Sequence, residues 1–260
     1  MRTILAVVVL VAGISPADAL ACYCGLGLEG VLPEEGDVIP ANANLFELFS
    51  GDSPPDSTLS VLATGDQIPL TYADTRSVDE TARWVIPMGT LPLGTELQWD
   101  FGANSAVTFS VTEQIDNTAP VGGDTILTAR GGYDSGSLTC GENVWVEVNI
   151  TEATDQSAVV YEVQVSGDDK FEGDVVNISS FDTLVHIGNV DICKTNYHLS
   201  PQDTVFVRSR AIDLAGNASP WSESTSTTVP RCALADNPAS ASMWLVLLLG
   251  AGLRRGPKQR

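Results

Sequence analysis

A two-residue period constrains this chain more than any other feature of its sequence. Apolar and polar residues alternate over short stretches separated by turn residues, and no long stretch carries the 3.6-residue period of an amphipathic helix. In Leu97-Gln98-Trp99-Asp100-Phe101 the apolar side chains share one face and the polar ones the other, and Val107, Phe109 and Val111 repeat the pattern. Val144, Val146, Val148 and Ile150 line one face of another segment; Val159, Tyr161, Val163 and Val165, and then Val205, Val207 and Ala211, line two more. Chains patterned this way fold as antiparallel sheets packed face to face. The expected class is all-β, with two tandem antiparallel β-sandwiches.

Strands are expected at residues 58–63, 67–72, 82–87, 95–101 and 106–112, with Pro54-Pro55 and Gly65-Asp66 as turns. A first unit spans residues 25–116. Asn117-Thr118-Ala119-Pro120 is a short joint stiffened by proline, and a second unit spans 121–230. Each unit is long enough to bury its own core.

The chain carries 33 Asp and Glu against 13 Lys and Arg, a formal charge of −20. Such a surface repels phosphate backbones and excludes nucleic acid as a partner. Apolar residues are plentiful, so the acidity marks a soluble surface and not disorder.

Five of the 13 basic residues, Arg2, Arg254, Arg255, Lys258 and Arg260, lie at the two ends. Residues 1–21 read as a secretory signal peptide: Arg2, an apolar stretch over 4–14, and Ala19-Leu20-Ala21 as the cleavage site, which leaves Cys22 first in the mature chain. Lipidation at Cys22 is the rival to ordinary cleavage, but Ala19 stands where a lipoprotein signal places leucine. At the other end, residues 231–260 hold Cys232, a polar spacer, an apolar stretch over 239–253, and then Arg254, Arg255, Lys258 and Arg260. A helix of that length covers about 22 Å, short of a hydrocarbon core of about 30 Å, so it spans only with thinning or snorkelling. The basic end stays cytoplasmic, which places the rest outside. This tail resembles the myxobacterial C-terminal sorting signal. The resemblance implies surface attachment with Cys232 as the signal cysteine and Arg254-Arg255 as its basic end. A plain membrane anchor predicts the same topology.

Export permits disulfides. Cys140 precedes one expected strand and Cys193 follows another in the same unit, so the two are expected to pair, closing a loop whose entropic contribution is at most about 4 kcal/mol. Cys22 and Cys24 close a small ring or pair with another chain, which leaves Cys232 for the anchor. Two histidines and no Cys-x-x-Cys pair make zinc a weaker reading.

Pro33, Gly36-Asp37-Val38-Ile39-Pro40, Leu45-Phe46-Glu47-Leu48-Phe49-Ser50 and Leu91-Pro92-Leu93-Gly94-Thr95 resemble the bacterial Ig-like domain of envelope proteins. In the second unit, Ala211-Ile212-Asp213-Leu214-Ala215-Gly216-Asn217-Ala218-Ser219-Pro220-Trp221-Ser222 resembles the last hairpin of a fibronectin type III domain.

Four constellations bear on chemistry. Gly51-Asp52-Ser53-Pro54 has the look of a nucleophile turn. The only histidines, His186 and His198, lie in the other unit, so a triad is not assembled and the chain is read as a non-enzyme. Asp213 with Asn217 is a candidate calcium contact. Its rival is a hairpin turn that Gly216 and Asn217 satisfy by themselves, and the acidic run of Asp168, Asp169, Glu172 and Asp174 falls on another loop. Arg208, Arg210 and Trp221 form a structural cation–π ladder. Trp145, out of phase with its neighbouring valines, is the candidate exposed aromatic for stacking on a sugar, or else an inter-domain contact. Three glycosylation sequons, at Asn149, Asn177 and Asn217, are chance in a bacterial chain.

The expected function is a non-catalytic cell-surface protein, structural, adhesive or interacting with an extracellular protein or glycan. The alternative is a carbohydrate- or calcium-binding accessory protein.

Overall fold

The computed structural model describes residues 27–50, 56–76, 80–101, 105–134, 143–191, 194–195 and 197–230. Among them every regular element is a β-strand, and no helix is long and apolar enough to cross a membrane. Ala19, Ala21, Cys140, Cys193, Cys232, Arg254 and Arg255 all lie outside the described residues.

The first nine strands are β1 (Gly27–Leu32), β2 (Val38–Ile39), β3 (Leu45–Ser50), β4 (Thr58–Val61), β5 (Gln67–Ile68), β6 (Leu70–Arg76), β7 (Glu80–Pro87), β8 (Glu96–Asp100) and β9 (Ala106–Val111). They build two sheets, ordered β1-β3-β7-β6 and β2-β9-β8-β4-β5. All pairings are antiparallel except β2 with β9. Numbered along the chain, the first sheet is the A-B-E-D sheet of an immunoglobulin-type sandwich and the second holds its C, F and G strands. The alternation seen in the sequence sets the inner faces: Leu97, Trp99, Phe109 and Val111 are buried with Leu45, Leu59 and Val85.

The expected strand over 67–72 is in fact two strands in different sheets. Pro69 has no N–H to give to a ladder, so pairing stops there and the chain leaves β5 for the opposite sheet as β6. The strand expected over 58–63 ends at Val61, where the Gly65 N–H bonds the Val61 carbonyl and Gly65 takes φ +74°.

The remaining strands are β10 (Ile126–Asp134), β11 (Asn143–Ile150), β12 (Val159–Ser166), β13 (Val175–Ser180), β14 (Leu184–Asp191), β15 (Lys194–Thr195), β16 (Thr204–Asp213) and β17 (Thr225–Thr228). Their sheets run β10-β11-β14-β15 and β13-β12-β16-β17, and the valine-rich inner faces of β11, β12 and β16 fill a second core.

The two cores are joined. In β3, Leu45, Phe46 and Glu47 are all fully buried, although successive strand residues face opposite sides. Leu45 and Glu47 face the inside of the first sandwich. Phe46 faces the other way, with Trp84, its partner across the β3–β7 ladder. That outer face is covered by the second unit. Phe181 meets Phe46 edge-on at 5.4 Å and lies where Gly30 carries no side chain, since a Cβ on Gly30 would sit on its ring. Val160 and Leu214 of the second unit, both shut off from water, belong to the same apolar cluster. Burying each such side chain contributes about 1.5–3 kcal/mol, so the seam is a core in its own right and not a grazing contact.

Candidate functional site

At one end of the seam three carboxylates converge, and the chain path explains how. β16 keeps the inward phase of Val205, Val207, Ser209 and Ala211 to its last residue, Asp213, which is 0% exposed. Asp213 caps the hairpin that follows. Its Oδ1 accepts the Asn217 backbone N–H at 2.8 Å, its Oδ2 accepts from Asn217 Nδ2 at 2.9 Å, and Gly216 turns the chain at φ +87°. Of the expected turn only Gly216 takes a positive φ; Asn217 does not, and serves instead as the donor to Asp213.

The joint between the units lies against that hairpin. Val121 exchanges backbone hydrogen bonds with Thr154 in the loop between β11 and β12. Gly122 and Gly123 follow at φ +99° and +73°, pressed so closely on Glu152 and Ala211 that a Cβ on either would clash. One residue from Thr154 is Asp155, and just ahead of the joint is Asp116. The first sandwich fixes Asp116 through Asn42, which donates from Nδ2 to the Asp116 carbonyl at 2.7 Å and accepts the Asp116 N–H at Oδ1 at 2.9 Å. A further bond crosses the seam from the Asn44 N–H to the Leu214 carbonyl at 2.6 Å.

Asp116, Asp155 and Asp213 each present a carboxylate oxygen, all within 4.8 Å of one another. Asp116 and Asp213 are buried and Asp155 is half-buried. Asp116 Oδ1 accepts the Thr118 N–H, whereas its Oδ2 is closed to solvent and has no hydrogen-bond donor among the described residues. Burial pushes the Asp213 carboxyl above its ordinary value. The Asn217 hydrogen bonds oppose that rise, and the charges of Asp155 and Asp116 add to it. Two like charges about 4 Å apart repel by about 4 kcal/mol at the effective dielectric of a protein surface, so the cluster is costly as it stands. Oxygen-only donors of this kind suit a hard cation. The sequence singled out Asp213 and Asn217 but not Asp116 or Asp155. Only the path of the joint brings these two alongside, and the proline-stiffened joint at 117–120 is its one visible trace in the sequence.

The acidic run at 168–174 lies at the far end of β12 and has a different task. Asp168 accepts the N–H groups of Lys170, Glu172 and Gly173 together with the Ser166 hydroxyl, which closes the β12–β13 hairpin. These hydrogen bonds, that from Glu172 first, hold its carboxyl below the usual value.

On the outer face of the β12–β16 pair, Arg208 Cζ lies 4.9 Å and Arg210 Cζ 4.3 Å from the Trp221 ring centroid, and Phe171 adds a face 4.3 Å from Arg208. Arg210 pairs with Glu162 and Arg208 donates to Gln164, their ladder partners. Trp145 is half-buried. Its indole lies over Gly132, its cross-strand partner, where a Cβ would collide with the ring. His186 Nε2 sits 3.6 Å from Glu147 Oε2 across the β11–β14 ladder, and His198 is exposed. Ser53 lies outside the described residues.

Fold and junction together define the class of the described residues: a tandem of all-β sandwiches with a shared apolar seam. No family model matches the chain, and no curated protein matches it. Among solved structures it is similar to the chicken CNTN1 FN1-FN3 domains, at 12% identity and TM-score 0.31, over 79% of this chain and 64% of that one. It is similar to the tandem Ig repeats of Dlar at 11% identity and TM-score 0.25, over 79% of this chain and 98% of that one. A third similarity, at 13% identity and TM-score 0.26, is to Mycobacterium tuberculosis L,D-transpeptidase 1, over 48% of this chain and 77% of that one. The chain thus spans less than two thirds of the first of these.

Proposed function

We propose that this chain is a non-catalytic module of a bacterial cell envelope, displayed outside the cytoplasm as a rigid spacer or adhesive element, with an Ig-like sandwich followed by a fibronectin type III-like one. The observation that carries the reading is the apolar seam around Phe46 and Phe181, which makes two sandwiches into one stiff unit. The surplus of 33 acidic over 13 basic residues keeps such a unit soluble. The signal-like start, the tail with Cys232, Arg254 and Arg255, and attachment through the membrane complete the proposal. A Cys140–Cys193 disulfide fits it: Val144 near the start of β11 lies opposite Asn189 near the end of β14, and each cysteine is a few residues away along the chain.

Protease added to intact cells tests the display. Loss of the full-length chain without lysis is expected, and protection until lysis contradicts the proposal. Non-reducing peptide mapping is expected to join Cys140 to Cys193; free thiols at both would remove the disulfide. The accessory-protein alternative rests on Trp145, one ring face of which lies on Gly132. A glycan-array signal lost in Trp145→Ala would favour it.

A further inference from the structure

We propose that Asp116, Asp155 and Asp213 form a site for one hard divalent cation of the calcium type, which bridges the two sandwiches at their joint. Oxygens that share one calcium ion at 2.3–2.6 Å lie at most about 5 Å apart, and these three fall within 4.8 Å of one another. A second observation is independent of the clustering: Asp116 is 5% exposed, and its Oδ2, shut off from solvent, has no donor among the described residues. A buried anionic oxygen without a partner is costly, and a cation supplies what the protein does not. The hydrogen bonds to Asp213 leave this role open, because each carboxylate oxygen keeps a second lone pair.

The placement gives the site its consequence. Asp116 is anchored to the first sandwich through Asn42, whereas Asp155 and Asp213 belong to the second, so one ion ties the two units together. Three carboxylate ligands with water completing the shell make a weak site, in the range of extracellular calcium modules, about 10⁻⁴–10⁻³ M.

The test uses the full chain, stripped with EDTA and titrated with calcium chloride by calorimetry and thermal unfolding. One saturable site per chain is expected, with Tm raised by about 5 °C at 10 mM calcium. Asp155→Asn, at a half-buried position that leaves the core intact, is expected to weaken binding at least tenfold and to remove most of the Tm rise. Asp213→Asn is expected to act likewise, and Glu223→Gln, an exposed acid away from the joint, to bind as the wild type does. Flat titrations to 10 mM calcium, or equal responses from wild type and Asp155→Asn, overturn the site. Either failure leaves the envelope-display proposal standing, because protease exposure on cells reads that separately.

Discussion

Glu47 and Arg83 face each other across the β3–β7 ladder at 2.6 Å inside the first sandwich, with the guanidinium over the Tyr72 ring at 4.1 Å and the Phe49 ring at 5.1 Å. Burial pushes the Glu47 carboxyl up against the pull of Arg83. Arg83→Met leaves that carboxylate buried without its cation and is expected to cost about 3–5 kcal/mol in urea unfolding, and Glu47→Leu combined with Arg83→Met to recover most of the loss. Asp168 responds to pH with a definite sign. Its carboxyl is held below the ordinary value of 3.8, so its contribution is fully present above that value and is lost as pH falls through the lower folded-state value. Carboxyl NMR is expected to titrate Asp168 below the ordinary range, and exchange at the Glu172 amide to quicken at the same pH. Asp168→Ala should abolish that step.

At the scale of elements, the hairpin after β16 shows why its sequence is written as it is. The Ser219 and Ser222 hydroxyls accept the N–H groups of Ala211 and Ser209, both at 2.9 Å, and the intervening Trp221 lies across two arginines. Trp221→Ala removes both cation–π contacts and is expected to cost about 1–2 kcal/mol, read as a lower urea midpoint at unchanged m-value. Alternation made β8, β9, β11, β12 and β16 legible in the sequence, because one face of each carries the apolar residues of a core; β12 is covered on its other face too, where Val160 joins the seam. It could not reveal β10. There Gly131 lets Thr228 and Val229 approach and Gly132 lies beneath Trp145, so the alternation is blank where the packing is tightest. The same stacking gives Trp145 a cover that its phase along β11 does not announce. The break at Pro69 was written in the sequence, but the apolar residues on either side of it read as one strand.

For the molecule as a whole, the joint was the least legible part. Leu45-Phe46-Glu47-Leu48-Phe49 fits a strand covered on both sides, but nothing local says that Phe181 supplies the second cover. Asp116, Asp155 and Asp213 are likewise far apart along the chain and meet only because the joint is clamped between two loops of the second unit. Phe181 is half-buried, so Phe181→Ala, which uncovers Phe46, is expected to cost about 1.5–3 kcal/mol. Calorimetry should show the single transition of the wild type separating into two as the sandwiches unfold independently.

Residual dipolar couplings of the full chain in a weakly aligned medium read out whether the two sandwiches move as one body, as their shared seam requires. Amides of β3, β7 and β8 and those of β11, β12 and β16 are predicted to fit a single alignment tensor, with the same magnitude and orientation for both groups. Two tensors of different magnitude would mean that the sandwiches reorient freely and that the seam does not hold them.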